Sequence, residues 1–381
     1  MKTVKIGRNH WRHYFGGFSL LLILVQLFSG LFLTMYYVPS LEHAYASVKF
    51  LYDDLTSWSW LRDTHRWNAL FFFVAIVIHT VRSTVRMEFL HPNKKALWLT
   101  GPLLLLPLIL FLVTGVILPW DWKGYWFMEM VPNYAEAVPV IGPALKTFLI
   151  SAFTMPRALV AHIVVLPIIS IVLIDLHCLT KLRERGLFEY TGKHLLITAP
   201  LLALVFAAAN YFPMPTQDPE IVPLPFAGIN VPVPEWFLLV LLLPFMYFKG
   251  TMAAFLGLYL PFVLFLLLAF GPYLFGKTKA GVAAKNRVGA ARGGKKPEKE
   301  KSAIKMIGIF FTVAVVLTGL LGGLAWGTHQ SPTMGCSSCH NVQSGIRMGI
   351  PPSTFKDRKV LPLLDDNEWM LRHWFNPQVV W

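Results

Sequence analysis

The sequence predicts an all-α integral membrane protein with seven transmembrane helices. Of the 381 residues, 55% are hydrophobic and only 14% are charged, and the mean hydropathy is +0.54. A soluble protein of this length would carry about 25% charged residues. Several stretches are almost free of charge over roughly 20 residues, the length that a helix needs to cross the hydrocarbon. These stretches recur along the whole chain, so they are not one signal peptide.

Seven of the apolar stretches are long enough to span a bilayer, and we name them spans A to G. They cover residues 16–38, 66–84, 98–118, 157–180, 194–211, 251–275 and 305–327. The apolar stretch 236–248 is too short to cross and is bounded by Pro234 and by Lys249-Gly250. We interpret it as a helix that lies at the membrane surface.

The distribution of Lys and Arg gives the topology. With the N-terminus in the cytoplasm, the cytoplasmic segments hold 22 of the 34 basic residues and the outer segments hold 12. This bias follows the positive-inside rule and accounts for the net charge of +14 without a nucleic-acid partner. A span at 236–248 would move the basic run from Lys277 to Lys305 outside, against the rule. The tail 328–381 is therefore expected outside the membrane.

Four histidines bracket two of the spans. His65 and His79 stand at positions i and i+14 in span B, and His162 and His177 stand at i and i+15 in span D. At 100° per residue, these steps end about 40° short of a full turn and about 60° past it, so each pair lies near one helix face. A single membrane histidine is often a hydrogen-bonding residue inside a bundle. Two similar pairs on two parallel spans predict axial ligands of haem iron.

The direction of the spans decides which histidines pair. Spans B and D both run from outside to inside, so His65 pairs with His162 on the outer side and His79 pairs with His177 on the cytoplasmic side. The two members of a span are separated by about 21–22 Å along the helix. The sequence therefore predicts two b-type haems, stacked through the membrane in a bundle of the first four helices.

Glycines and arginines accompany the histidines. Span A has two glycines at the i, i+14 interval, and so has span C. A missing side chain would let a flat macrocycle approach the backbone at these positions. The alternative is that the glycines serve ordinary packing of helices through small residues. Three arginines near the histidines are suited to pair with haem propionates, or else anchor the helices at the interface. These residues are Gly16, Gly30, Gly101, Gly115, Arg62, Arg66 and Arg82.

The tail contains a motif for covalent haem attachment. Cys336-Ser337-Ser338-Cys339-His340 has the form CxxCH, in which both thiols bond the haem and the imidazole binds its iron. A CxxC zinc or redox site is the alternative, but the tail has no second cysteine pair for zinc. An outer location of the tail fits a c-type haem. The candidate sixth ligands are Met348, Met370, His373 and a residue of a partner subunit.

Residues 10–275 resemble the cytochrome b subunit of Rieske/cytochrome b (cytochrome bc) complexes. The resemblance rests on the haem-ligand pattern and on local motifs. These motifs are Val25-Gln26 with Gly30, Tyr36-Tyr37-x-Pro39, His65-Arg66-Trp67, Gly115-x-x-Leu118-Pro119-Trp120-Asp121, Gly124-Tyr125-Trp126 and Pro234-Glu235-Trp236-Phe237. The i, i+15 step and the Pro-Trp-Asp sequence resemble those of the cytochrome b of oxygenic photosynthesis, which is split into two subunits. In this chain the part that resembles the second subunit, spans E to G, is fused to the first.

The resemblance implies a quinol-oxidising site on the outer side. It assigns the proton-accepting role to Glu235, beside Pro234, Trp236 and Phe237, where the family usually has Tyr in the last position. It also implies a separate Rieske-type iron–sulfur subunit, an external cytochrome or other acceptor, coupled proton translocation, a dimer of complexes and a prokaryotic cytoplasmic membrane. Tyr14 stands where photosynthetic relatives have a cysteine that tethers an extra haem, so we expect that haem to be absent.

The predicted organisation has five parts. They are the dihaem core 1–193, spans E and F with the quinol-site loop 194–275, a basic cytoplasmic linker 276–304, span G at 305–327, and the c-type haem segment 328–381. Two other functions remain open. One is an electron relay between the quinone pool and an external redox enzyme, without bifurcation; the other is a transporter, for which Asp175 is the main midplane candidate.

Overall fold

The computed structural model describes residues 14–85, 88–90, 95–213, 244 and 250–274, and this part of the chain is helical without a β-strand. Six of its helices are long and apolar enough to cross a membrane. They cover Phe15–Leu33, Trp58–Val85, Leu97–Ile117, Met155–Leu179, Leu187–Tyr211 and Phe255–Leu274. These helices confirm spans A to F, and the chain is a multi-pass membrane protein. Span G, the linker 276–304 and the tail 328–381 lie outside the described residues.

The helices are numbered in chain order. They are α1 (Tyr14–Leu33), α2 (Ala44–Asp53), α3 (Thr56–Val85), α4 (Lys95–Ile117), α5 (Trp122–Glu136), α6 (Gly142–Ala152), α7, α8 (Leu187–Tyr211) and α9. Helix α7 comprises Met155–Val160, a π turn at Ala161–Val165, Leu166–Ile174, a second π turn at Asp175–Leu179, and Thr180–Arg185. Helix α9 comprises Gly250–Ala254, a π turn at Phe255–Tyr259, and Leu260–Leu274.

Two helix boundaries differ from those expected from hydropathy. Helix α3 begins at Thr56 rather than at residue 66, so His65 lies well inside the helix. Helix α8 begins at Leu187, so the domain boundary expected between residues 193 and 194 falls inside it. The break between α7 and α8 is at Gly186, whose φ of 91° lies in the left-handed region that glycine adopts without strain. Hydropathy did not show either helix start, because polar and charged residues interrupt the first turns of both helices.

The spanning helices pack as two pairs that face each other. Helix α1 packs along α3, and α4 packs along α7, which gives the four-helix bundle expected for spans A to D. Helix α8 covers α1 and α3, and α9 packs on α4. A buried apolar cluster joins α1, α3 and α8; it contains Phe18, Leu21, Leu22, Ala75, Leu202 and Val205. Many residues on the side of α7 that faces away from the bundle are exposed and apolar, as a lipid-facing surface requires.

Candidate functional site

The structure brings the four histidines together in the two combinations expected from the topology. The ring centroids of His65 and His162, the outer histidine pair, are 6.3 Å apart. Those of His79 and His177, the inner histidine pair, are 6.4 Å apart. In each pair one imidazole comes from α3 and the other from α7. The bundle therefore holds one histidine pair near each end.

The two π turns of α7 explain how the i, i+15 step of α7 can face the i, i+14 step of α3. His162 lies in the first π turn and His177 lies in the second. A π turn closes with an i→i+5 hydrogen bond, so it holds about one residue more than an α turn. The wider turns reduce the rotation per residue and offset the angle of about 60° by which a regular helix would overshoot. No side-chain pattern in the sequence marks these turns.

The four glycines lie directly against the four histidines. A Cβ atom would lie 3.0 Å from Cε1 of His65 at Gly30, and 3.3 Å from Cε1 of His79 at Gly16. The corresponding distances to α7 are 3.2 Å from Gly115 to His162 and 3.3 Å from Gly101 to His177, again to Cε1. Each glycine therefore gives room for an imidazole ring. That the four glycines also make room for a haem macrocycle stays a prediction.

Hydroxyl groups of the neighbouring helices orient three of the rings. Ser29 Oγ lies 2.9 Å from Nδ1 of His65, and Thr114 Oγ1 lies 2.8 Å from Nδ1 of His162. Nδ1 of His177 lies 3.0 Å from Thr100 Oγ1 and 3.1 Å from the carbonyl oxygen of Leu97. A polar partner at Nδ1 fixes the ring and leaves Nε2 as the ligand nitrogen, as in many metal sites. Hydropathy does not reveal these polar partners.

The spacing of each histidine pair fits one iron between two imidazoles. With metal–nitrogen bonds of about 2 Å and ring centres about 1.1 Å behind the nitrogens, two axial imidazoles have centroids roughly 6.2 Å apart, close to the distances in both pairs. One local adjustment is needed, because the amide nitrogen of Gln26 lies 2.8 Å from Nε2 of His65. An iron at that nitrogen requires the amide to turn aside. Asn68 holds the other end of this amide, because the Gln26 carbonyl oxygen accepts a hydrogen bond of 2.6 Å from it.

A buried polar cluster, of which the sequence singled out only Arg62, lies at the outer end of α3. Arg62 and Asp63 are 4% and 2% exposed and precede His65 by three and two residues. Tyr52 of α2 contacts both: its hydroxyl accepts a 2.6 Å hydrogen bond from Arg62 and donates one to Asp63. Burial raises the pKa of Tyr52 to about 12, so the phenol keeps its proton at neutral pH. Arg66 and Arg82 are half-buried.

The outer end of α4 leads into the hairpin of α5 and α6 through a strained turn. Trp120 has a φ of 49° and is buried, stacked on Phe153 with ring centroids 5.6 Å apart. A buried non-glycine residue in this conformation is held there by its surroundings. Tyr37 donates a 2.6 Å hydrogen bond to the carbonyl of Leu118, and Asp121 caps α5 by accepting from the Gly124 amide at 2.9 Å. The Pro-Trp-Asp motif therefore forms the turn between α4 and α5.

The hairpin is tied internally and to α9. Lys146 of α6 is 5% exposed and donates to Glu136 of α5 at 2.9 Å. Tyr134 donates a 2.6 Å hydrogen bond to the carbonyl of Gly257, and Tyr259 donates to the carbonyl of Ala137 at 3.2 Å. Burial raises the pKa of Tyr134 to about 12. The hairpin thus joins the bundle to the second half of the chain.

Two groups of predicted site residues lie outside the described residues. The first is the quinol-site motif, with Pro234, Glu235, Trp236 and Phe237. The second is the haem-attachment motif, with Cys336, Cys339 and His340. Their roles stay predictions.

Comparisons with known proteins place the histidine-bearing part of the chain in a family. A family described as Cytochrome b/b6/petB matches residues 5–186, which include all four histidines. A cytochrome b6 of Gloeobacter violaceus is 36% identical over 178 residues, which are 45% of this chain and 81% of that protein.

The chain belongs to the cytochrome b/b6 family. A second relative, named menaquinol:cytochrome c reductase cytochrome b subunit, comes from Geobacillus thermodenitrificans. It is 34% identical over 179 residues, 45% of this chain and 79% of that protein. The cytochrome b/b6 family implies b-type haems and quinone binding, which agrees with the two histidine pairs.

The fold extends beyond the part that the family description covers. A solved structure titled Hyperthermophilic respiratory Complex III has a TM-score of 0.55 and 20% identity to this cytochrome b. The similarity covers 82% of this chain and 90% of that chain. At this identity it shows the fold alone.

Proposed function

We propose that this cytochrome b is the quinol-oxidising subunit of a cytochrome bc-type complex and carries electrons across the membrane. The observation that carries the proposal is the presence of two histidine pairs, with ring centroids 6.3 and 6.4 Å apart, at the two ends of one bundle. The relatives named cytochrome b6 and menaquinol:cytochrome c reductase support the reaction class.

The histidines would hold two b-type haems. His65 with His162 would bind the outer iron and His79 with His177 the inner iron, each through Nε2. When bound, the haems supply two one-electron carriers in series between the two faces of the membrane. The hydroxyls of Ser29, Thr114 and Thr100 fix the ring orientations, and the glycines let the rings seat against α1 and α4. The arginines Arg62, Arg66 and Arg82 would pair with the propionates.

Quinol would be oxidised at the outer face. A quinol that becomes a quinone releases two protons and two electrons. Glu235, beside Pro234, Trp236 and Phe237, would accept a proton, since a carboxylate in an apolar pocket can have its pKa tuned for that task. One electron would pass to a separate Rieske-type iron–sulfur subunit and the other inward to a quinone near the cytoplasm. The second proton would leave to the outer water, and the quinone reduced near the cytoplasm would take up protons there, so the net effect would be proton translocation.

The tail would extend this path outside the membrane. Cys336 and Cys339 would attach a c-type haem and His340 would bind its iron, which would pass electrons to an external cytochrome or another acceptor. The proposal also includes span G, a dimer of complexes and the cytoplasmic membrane of a prokaryote. The alternative is a relay without bifurcation, for which Phe237, where the family usually has Tyr, and the unusual tail leave room.

An optical redox titration of the purified complex tests this function. We expect two b-type components and one c-type component, with quinol reducing the b haems only while an iron–sulfur partner is present. Reduction of the b haems that is independent of that partner would support the relay instead. Fewer than two b components would contradict the assignment of the four histidines.

A pair of variants tests the role of Glu235. Glu235→Gln should lower quinol oxidation at least tenfold and leave all haem components in place. Glu42→Gln is the matched control, because Glu42 is exposed on the segment between α1 and α2. Equal activity of both variants would remove Glu235 from the mechanism.

A further inference from the structure

The buried acidic side chain of Asp63 is not used by the proposed function. Asp63 lies two residues before His65 and is 2% exposed, and Arg62 beside it is 4% exposed. Burial of a charge is costly unless the charge is paired and hydrogen-bonded. Water does not solvate this charged pair, so its position next to a proposed haem ligand needs another explanation.

Tyr52 connects the two charges. The closest approach of Arg62 to the carboxylate of Asp63 is 3.8 Å, which is too long for a hydrogen bond. The phenol bridges that distance, because it accepts from the guanidinium at 2.6 Å and donates to the carboxylate. The guanidinium carbon also lies 5.3 Å from the centre of the Tyr52 ring. The three side chains form one chain of hydrogen bonds.

Helix geometry places the two ends of this chain on different faces of α3. Arg62 precedes His65 by three residues and lies about 60° from it around the helix, toward the outer histidine pair. Asp63 precedes it by two residues and lies about 160° away, toward α2. Asp63 is therefore connected to the side of α3 that bears His65 by way of Tyr52 and Arg62. Asp121 and Arg66 also interact electrostatically with Arg62.

We propose that Asp63, acting through Tyr52 and Arg62, is a positioning residue that lowers the reduction potential of the b haem held by His65 and His162. A buried negative charge favours the oxidised iron, which carries one more positive charge than the reduced iron. The hydrogen-bond chain also offsets the guanidinium charge that would favour reduction. The low dielectric of the interior strengthens both effects. This inference rests on the proposed binding of haem by the outer pair.

The first test is a redox titration of the complex with Asp63→Asn. We expect the outer b component to become easier to reduce, by a three- to tenfold change in the equilibrium constant, or roughly 30–60 mV at 59 mV per tenfold. The inner component should keep its potential. His65→Ala identifies the outer component, because that component is then lost.

Asp53→Asn is the matched control. It makes the same chemical change on α2, but the Asp53 side chain is 56% exposed and pairs with Lys49 at 3.9 Å in solvent. Water and salt screen such a charge, so no shift is expected. A shift of equal size in both variants would overturn the proposal, since it would show only an effect of net charge.

Tyr52→Phe keeps the ring and removes the bridging hydroxyl. We expect a smaller rise in the reduction potential of the outer b component. This variant tests the proposal by itself if the complex with Asp63→Asn does not assemble. Two b components with unchanged potentials in Tyr52→Phe and Asp63→Asn would overturn this inference and leave the proposed function intact. Fewer than two b components in the unaltered complex would instead remove the proposed function.

Discussion

The outer and inner histidine pairs have nearly the same spacing but different surroundings. Their centroid distances are 6.3 and 6.4 Å, whereas the planes of the rings meet at 58° in the outer pair and 85° in the inner pair. In the outer pair each Nδ1 faces a hydroxyl, while His177 faces a hydroxyl and a backbone carbonyl. Spacing along the helices sets where a haem would bind. The groups around each pair set how that haem would behave.

The largest expected effect is the loss of one haem at a time. His65→Ala or His162→Ala should remove the outer b component, and His79→Ala or His177→Ala the inner one, because an iron between two imidazoles loses half of its axial ligation. The optical spectrum and the haem content measure this. His43→Ala, an exposed histidine before α2, should retain both components. Loss of both components in every variant would mean that the pairs do not act independently.

The glycines should show a graded effect. Gly30→Val places a side chain at the closest of the four contacts, 3.0 Å from the His65 ring, and should remove most of the outer haem. Gly16→Val, at 3.3 Å from His79, should lower the inner haem content less. The ratio of the two b components measures this. Gly192→Val is the control, since nothing lies within 4 Å of a Cβ there. Equal losses at all three sites would indicate a general effect on helix packing.

The ion pair of the α5–α6 hairpin should affect the outer end first. Glu136→Gln leaves Lys146 buried without its carboxylate and should cost about 1.5–3 kcal/mol, the value of a hydrogen bond to a charged group. The midpoint of heat-induced loss of the outer haem spectrum should fall before that of the inner haem. The double variant Glu136→Gln, Lys146→Met should recover much of the loss. Simultaneous loss of both spectra would show that the two ends unfold as one unit.

The smallest expected effect concerns the hydroxyl at Nδ1. Thr114→Val removes the 2.8 Å contact with His162 and should raise the outer potential by roughly 20–60 mV, which corresponds to 0.5–1.5 kcal/mol for one hydrogen bond. The acceptor makes the imidazole a better donor to the oxidised iron, so its loss favours reduction. Thr84→Val is the control, because its hydroxyl contacts only the carbonyl of Thr80 among the described contacts. An unchanged potential would limit Thr114 to a structural role.

The spans and the histidine pairs were predictable because both follow from periodicity. Apolar stretches of membrane length indicated spans A to F, and the i, i+14 and i, i+15 steps put each pair near one helix face. The family resemblance was confirmed by the relatives. Matching intervals also singled out Gly30 and Gly115, although their contact in the structure is an imidazole ring.

The local surroundings of the site were not predictable in the same way. The π turns around His162 and His177 pack against α4 and have no signature in the side chains. The cluster of Tyr52, Arg62 and Asp63 joins α2 to α3 across a turn, and hydropathy does not show which polar residues become buried together. The polar first turn of α3 likewise hid the start of that helix.

The reciprocal phenol contacts of Tyr134 and Tyr259 have a consequence for how the chain can be divided. They fasten α9 to the α5–α6 hairpin across a long separation in sequence, and Gly186 marks a break in the helical path. Two polypeptides separated at Gly186 would still meet through these contacts and through the packing of α8 on α1 and α3. Co-expression of the two pieces should therefore give an assembled bundle.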